Sequence, residues 1–173
     1  MVYEPQSRRI LKPVKPGFVM ISLVVAIVFN SLPWRDMRGV PDLVALVLAF
    51  WCVHQPRLIG FAIPFLCGLL MDASIGVILG QHALGYSVLA FVAQALSRRM
   101  MWFSTGRQAV QVFVLLVFVQ ALMLAVRLAT PGGTFPGWSY FAGSAIAALL
   151  WPLVTFVLLA PQRAANPDET ATL

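Results

Sequence analysis

Residues 41–84 read PDLVALVLAFWCVHQPRLIGFAIPFLCGLLMDASIGVILGQHAL, with an aspartate at each end of a pair of hydrophobic runs, Asp42 and Asp72. A run this apolar is built for an apolar solvent. An ionised side chain in such a setting is costly, so each carboxylate calls for a partner or a task.

The rest of the chain fits the same solvent. Only 10% of its 173 residues are charged and 60% are hydrophobic, whereas soluble domains carry about 25% charge. There is length for one domain but no polar surface to clothe it in water, so the expected solvent is the bilayer. The net charge is +6. Its basic residues lie in short connections between apolar runs and form no contiguous face, which excludes nucleic acid as a partner. Cys52 and Cys67 both fall inside apolar segments and read as packing residues, since a disulfide framework or metal site needs more ligands or tighter spacing.

The apolar runs predict six membrane spans, near 17–32, 41–53, 58–71, 75–96, 109–127 and 138–160. The chain thus divides into a basic cytoplasmic segment (1–16), a transmembrane domain (17–160) and a cytoplasmic tail (161–173). No small-x-small cleavage site follows the first run, so it reads as an uncleaved span. Pro152 should kink the last helix. With both termini cytoplasmic, the inner side holds Arg8, Arg9, Lys12, Lys15, Arg57, Arg98, Arg99, Arg107 and Arg163. The outer side then holds Arg35, Arg38 and Arg127. This asymmetry follows the positive-inside rule. A rival topology makes residues 41–71 a re-entrant hairpin of two short helices, allowed only where the backbone is buried in protein or lines a cavity.

The six-span reading brings the unusual polar residues to one depth. Asn30, Asp42, Asp72, His82 and Arg127 all fall near the outer interface, where Arg127 or Arg38 is a candidate counter-ion for either aspartate. A plainer reading makes the acids helix-end markers. Pro41 followed by Asp42 fits a helix start, with the acid complementing the dipole. Asp72 follows a helix and faces the wrong dipole end, unless Asp72-Ala-Ser begins the next one. His54 and His82 are lone histidines without an HExxH partner, so neither a metal nor a cofactor is expected. Gln94, Gln111 and Gln120 read as interhelical hydrogen-bonding residues, and the five tryptophans mostly as interfacial anchors near span ends. Gly143 with Ala147, and Ser144 with Ala148, permit close helix approach. No GxSxG, P-loop or CxxC motif occurs, and no glycine-x-glycine-aspartate, which argues against an enzyme.

The ordered set Pro41-Asp42, Pro56, Gly60, Gly68-Leu-Leu-Met-Asp72, Gly76, and Leu79-Gly80-x-His82-Ala-Leu84 resembles the bacterial rod-shape-determining membrane protein family MreD, from about Phe18 through the fifth span. The resemblance implies an all-α polytopic protein of the cytoplasmic (inner) membrane. It implies a non-catalytic scaffold of the elongation complex, required for rod shape and lateral peptidoglycan synthesis through binding MreC. MreB, RodA and a class B penicillin-binding transpeptidase would share that complex. A distant similarity to the S-components of energy-coupling-factor transporters implies a six-helix bundle with an outward cavity. It leaves open the alternative of a small-molecule-binding subunit of a vitamin-type transporter. Pro41, Asp42, Gly68, Asp72, Gly80, His82 and Arg127 are the structural or partner-binding candidates.

Overall fold

A computed structural model of the chain describes residues 15–32 and 39–162, and among these there is no strand. Seven α-helices follow in order: α1 Pro16–Ser31, α2 Leu43–His54, α3 Pro56–Ile59, α4 Ala62–Ile75, α5 Gln81–Met100, α6 Thr105–Ala129 and α7 Ala142–Leu159. One-turn 3-10 helices, Trp138–Phe141 and Ala160–Gln162, flank α7. Most of the basic segment (1–14), most of the tail (163–173, with Arg163), and the residues Trp34, Arg35 and Arg38 lie outside the described residues.

The centre is α2. Every residue from Val44 to Val53 is buried, which follows from a sequence with no polar face to turn outward. Helices α1, α5, α6 and α7 pack around it, and α4 closes against α5 and α1. Phe50, Trp51, His54 and Trp151 form an aromatic knot at one end of α2, with His54 stacked on Phe50 at a centroid distance of 4.1 Å. The outer faces are the reverse of a soluble bundle's. Large apolar side chains stand exposed on α1 (Ile21, Val25), α4 (Phe65, Leu70), α6 (Val110, Val114) and α7 (Leu149, Phe156). Both α6 and the stretch Trp138–Gln162 are long and apolar enough to cross a membrane.

Several sequence-based boundaries move. The run 58–71 is interrupted by Gly60 at φ +55°, so a single turn, α3, precedes α4. The run 75–96 divides, because Gly76 ends α4 at φ +67° and Gly80 opens α5 at φ +101°. Both angles lie where an L side chain is strained, and hydropathy carries no trace of them. Helix α7 continues through Pro152. Trp51 and Trp151 are not interfacial anchors. Both are fully buried, and their indole N–H groups donate to Ser22 Oγ (2.9 Å) and Gln108 Oε1 (3.3 Å). Among the described tryptophans, Trp102 and Trp138 are exposed. Gln94 and Gln120 do bond between elements: Gln94 donates to the Gly60 carbonyl, and Gln120 accepts from Ser144. Gln111 Oε1 is buried and finds no hydrogen-bond partner among the described residues.

Candidate functional site

The polar residues gather at the end of the bundle where α1 finishes, α2 starts, α4 finishes and α5 starts. Asp72 is 0% exposed, and it lies within the last turn of α4 rather than at the start of the next helix. Its carboxylate reaches the next helix. Oδ2 accepts the N–H of Gly80 at 2.8 Å and of Ala83 at 3.4 Å. Oδ1 accepts the N–H of His82 at 2.9 Å and the imidazole Nδ1 of His82 at 2.8 Å. The first N–H groups of a helix have no partner within it, and a carboxylate there also meets the positive end of the dipole. Gly80, the N-cap of α5, has no side chain with which to do this. Asp72 supplies the cap from the neighbouring helix. Its main-chain carbonyl meanwhile accepts the N–H groups of Gly76 and Val77, closing α4. One residue ends one helix and starts the next.

Gly68 makes that reach possible. It stands one turn before Asp72 on the same face of α4. A Cβ on Gly68 would overlap the backbone of His82 and Ala83. The α4 backbone can therefore lie directly against the first turn of α5, and Asp72 follows into the cluster of N–H groups. Gly68, Asp72, Gly76 and Gly80 form a single device. Its signal in the sequence is their spacing.

Asp42 is the N-cap of α2, as the Pro41-Asp42 pair predicts, and its Oδ1 accepts Ala45 N–H at 2.9 Å. It does more than cap. Asn30 of α1 donates its amide to Oδ1 at 2.8 Å and accepts Leu43 N–H at 3.2 Å. Tyr86 of α5 donates its hydroxyl to Oδ2 at 2.8 Å. The Tyr86 ring meets the His82 ring edge-on at 5.8 Å. The two aspartates are thus linked through Tyr86 and His82, and the four helices α1, α2, α4 and α5 are tied at one level. Sequence reasoning missed Tyr86, whose only signal is its position one turn after His82.

Arg127 is not the counter-ion. Among the described residues the basic side chain in contact with Asp72 is His82, its Nδ1 2.8 Å from Oδ1. Arg127 sits in the last turn of α6, where a cation complements the helix dipole. A cavity of about 800 Å³ opens beside the network, with Asn30, Asp42, Ser74, His82, Gln120 and Tyr140 among its lining residues. The His82 ring stands between the Asp72 carboxylate and this cavity. No group of three or more metal-ligating side chains occurs among the described residues. The arrangement binds helices together and borders a hollow with polar groups on one wall.

The model of the rod shape-determining protein MreD family matches residues 11–160, a stretch that contains every element of this device. The chain belongs to the MreD family. A relative from Haemophilus influenzae, the rod shape-determining protein MreD, is 29% identical over 161 residues, covering 89% of this chain and 93% of that protein. No solved structure matches. Membership in MreD gives the chain a role in rod shape determination and membrane association, in a family of structural proteins rather than a known family of enzymes. The MreD residues singled out from sequence divide by their contacts. Pro41, Asp42, Gly68, Asp72, Gly80 and His82 meet at one end of the bundle, and Arg127 stands apart from their hydrogen bonds.

Proposed function

We propose that this protein is a six-span scaffold of the bacterial cytoplasmic membrane that binds MreC and so supports the elongation complex, with MreB, RodA and a class B transpeptidase as its wider company. The observation that carries the reading is the bundle's inverted organisation. Its outer faces are apolar, and its hydrogen-bonding groups are spent on joining α1, α2, α4 and α5 at one end. Such a body suits lipid outside and rigidity within. The excess of arginine and lysine at the opposite end supports the aspartate end as the outer one.

Full crossing by residues 41–71 is favoured over a re-entrant hairpin by the pairing of α1 with α2. Asn30 meets Asp42 near one end of α1, and Phe18 meets Trp51 at 6.0 Å near the other. The second run therefore extends as deep as the first. Its helix of 12 residues, about 18 Å long, is sheathed in protein and need not match the lipid thickness. Labelling Arg57→Cys from the cytoplasmic side alone is the expected result.

Depleting the protein should turn rods into spheres, and MreC should co-purify with it. Cells that keep their rod shape on depletion would overturn the scaffold reading. The cavity beside Asp42 and His82 favours a second reading, a small-molecule-binding membrane subunit of the vitamin-transporter type. That reading requires a solute that raises the thermal stability of the purified protein, and growth that depends on a nutrient.

A further inference from the structure

The end opposite the aspartates is as one-sided in charge as the outer end is in hydrogen bonding. Between Asp72 and Asp168 the sequence contains no carboxylate. The turn joining α5 to α6 lies within that interval. Arg98 and Arg99 are exposed in the last turn of α5, and Arg107 is exposed in the first turn of α6. The first two complement the C-terminal dipole of their helix. Arg107 stands at the end of α6 where a cation is disfavoured, so the helix itself does not explain it. None of the three has an ion-pair partner among the described residues.

Between these arginines the turn displays apolar groups. Trp102 is 89% exposed and Met101 58%, and Arg107 lies over the Phe103 ring at 5.9 Å. The turn is not loose. Gln108, buried in α6, donates to the carbonyls of Met100 (3.2 Å) and Phe103 (3.0 Å). Its own carbonyl oxygen accepts from the buried Trp151. The bundle core thus holds the turn in one shape with its indole outward.

We propose that the α5–α6 turn is a binding site for anionic phospholipid headgroups. Arg98, Arg99 and Arg107 take the phosphates, and Trp102 beds into the layer where headgroup meets acyl chain. The chemistry fits on both sides. Guanidinium groups bind phosphate oxygens in a fork, and an indole prefers the boundary between water and hydrocarbon. An acidic protein surface would satisfy the arginines but gives no reason for a tryptophan and a methionine presented between them. The site rests on the membrane reading above, with this end in the cytoplasmic leaflet, whose anionic lipids attract such clusters.

The test uses the full-length protein in detergent. Phosphatidylglycerol is titrated in, with phosphatidylcholine as the reference, and thermal unfolding is followed. Phosphatidylglycerol should raise the midpoint by several degrees more than phosphatidylcholine does. The triple variant R98Q/R99Q/R107Q should unfold at the wild-type temperature without added lipid and lose that increment. W102A should bind phosphatidylglycerol more weakly, by several-fold. An equal response to both lipids, or an increment that survives in the triple variant, would overturn the proposal. If the triple variant is already unstable, single variants and native mass spectrometry of bound lipid decide, and retention of lipid by all of them counts against the site. Reconstitution into vesicles tests the underlying reading separately. Protein that inserts but shows no lipid preference refutes the anchor alone, and protein that fails to insert refutes the membrane reading.

Discussion

The carboxylate of Asp72 and residue His82 are joined twice at a single oxygen, through the imidazole Nδ1 at 2.8 Å and the main-chain N–H at 2.9 Å. The second bond, with those from Gly80 and Ala83, makes Asp72 the cap of a helix it does not belong to. The first fixes the ring that lines the cavity. Helix register, turn shape and the His82 face of the cavity therefore depend on one buried acid.

That dependence orders two substitutions. Asp72→Ala removes the acceptor for three main-chain N–H groups and one imidazole, and should cost roughly 2–4 kcal/mol, from the price of buried unsatisfied donors together with a lost cap. His82→Ala removes one donor and leaves the main-chain bonds in place, so it should cost about 1–2 kcal/mol. Thermal unfolding of the purified protein checks the order. Equal losses would mean that the cap contributes nothing.

Gly68 and Gly106 allow the same chemical change to be made twice. A methyl group at Gly68 meets the backbone of His82 and Ala83, whereas one at Gly106 meets nothing within 4 Å. Gly68→Ala should destabilise by about 1–3 kcal/mol, because backbone cannot move aside as a side chain can. Gly106→Ala should be neutral or stabilise by up to about 1 kcal/mol through restriction of the unfolded chain. Unfolding midpoints of the two variants give the comparison directly.

Tyr86 and Asn30 approach Asp42 from different helices and donate to different oxygens. Tyr86→Phe should cost about 1 kcal/mol, as should Asn30→Ala. Because both bonds converge on one carboxylate, the double variant should depart from additivity by about 0.5 kcal/mol or more. Additive losses in a double-mutant cycle would show that the two halves of the network are independent.

Much of this end of the molecule is legible in the sequence. Pro41-Asp42 announces a helix start, and the basic connections bring both aspartates to one face. The rest depends on geometry that composition does not carry. Whether a carboxylate in one helix meets N–H groups eight to eleven residues later depends on a turn made by Gly76 and Gly80, and on the close approach at Gly68. Hydropathy reads Ala73 to Leu96 as one run and passes over that turn. Arg127 looks like the natural counter-ion on grounds of depth and charge. His82 and the backbone satisfy Asp72 first, because they are adjacent and need no long side chain to be ordered. Trp51 and Trp151 look interfacial by position, yet each finds a hydroxyl or amide acceptor in the core, which is what permits an indole to be buried.

The central claim is that this capped junction supports cell elongation as part of a membrane scaffold. The most direct measurement replaces the chromosomal copy with the Asp72→Ala form at matched membrane abundance, with Gly106→Ala as the control, and records cell shape and co-purified MreC. Rounded cells with depleted MreC for Asp72→Ala, beside rods with MreC retained for Gly106→Ala, are predicted. Rods with an undiminished yield of MreC from the Asp72→Ala strain would contradict it.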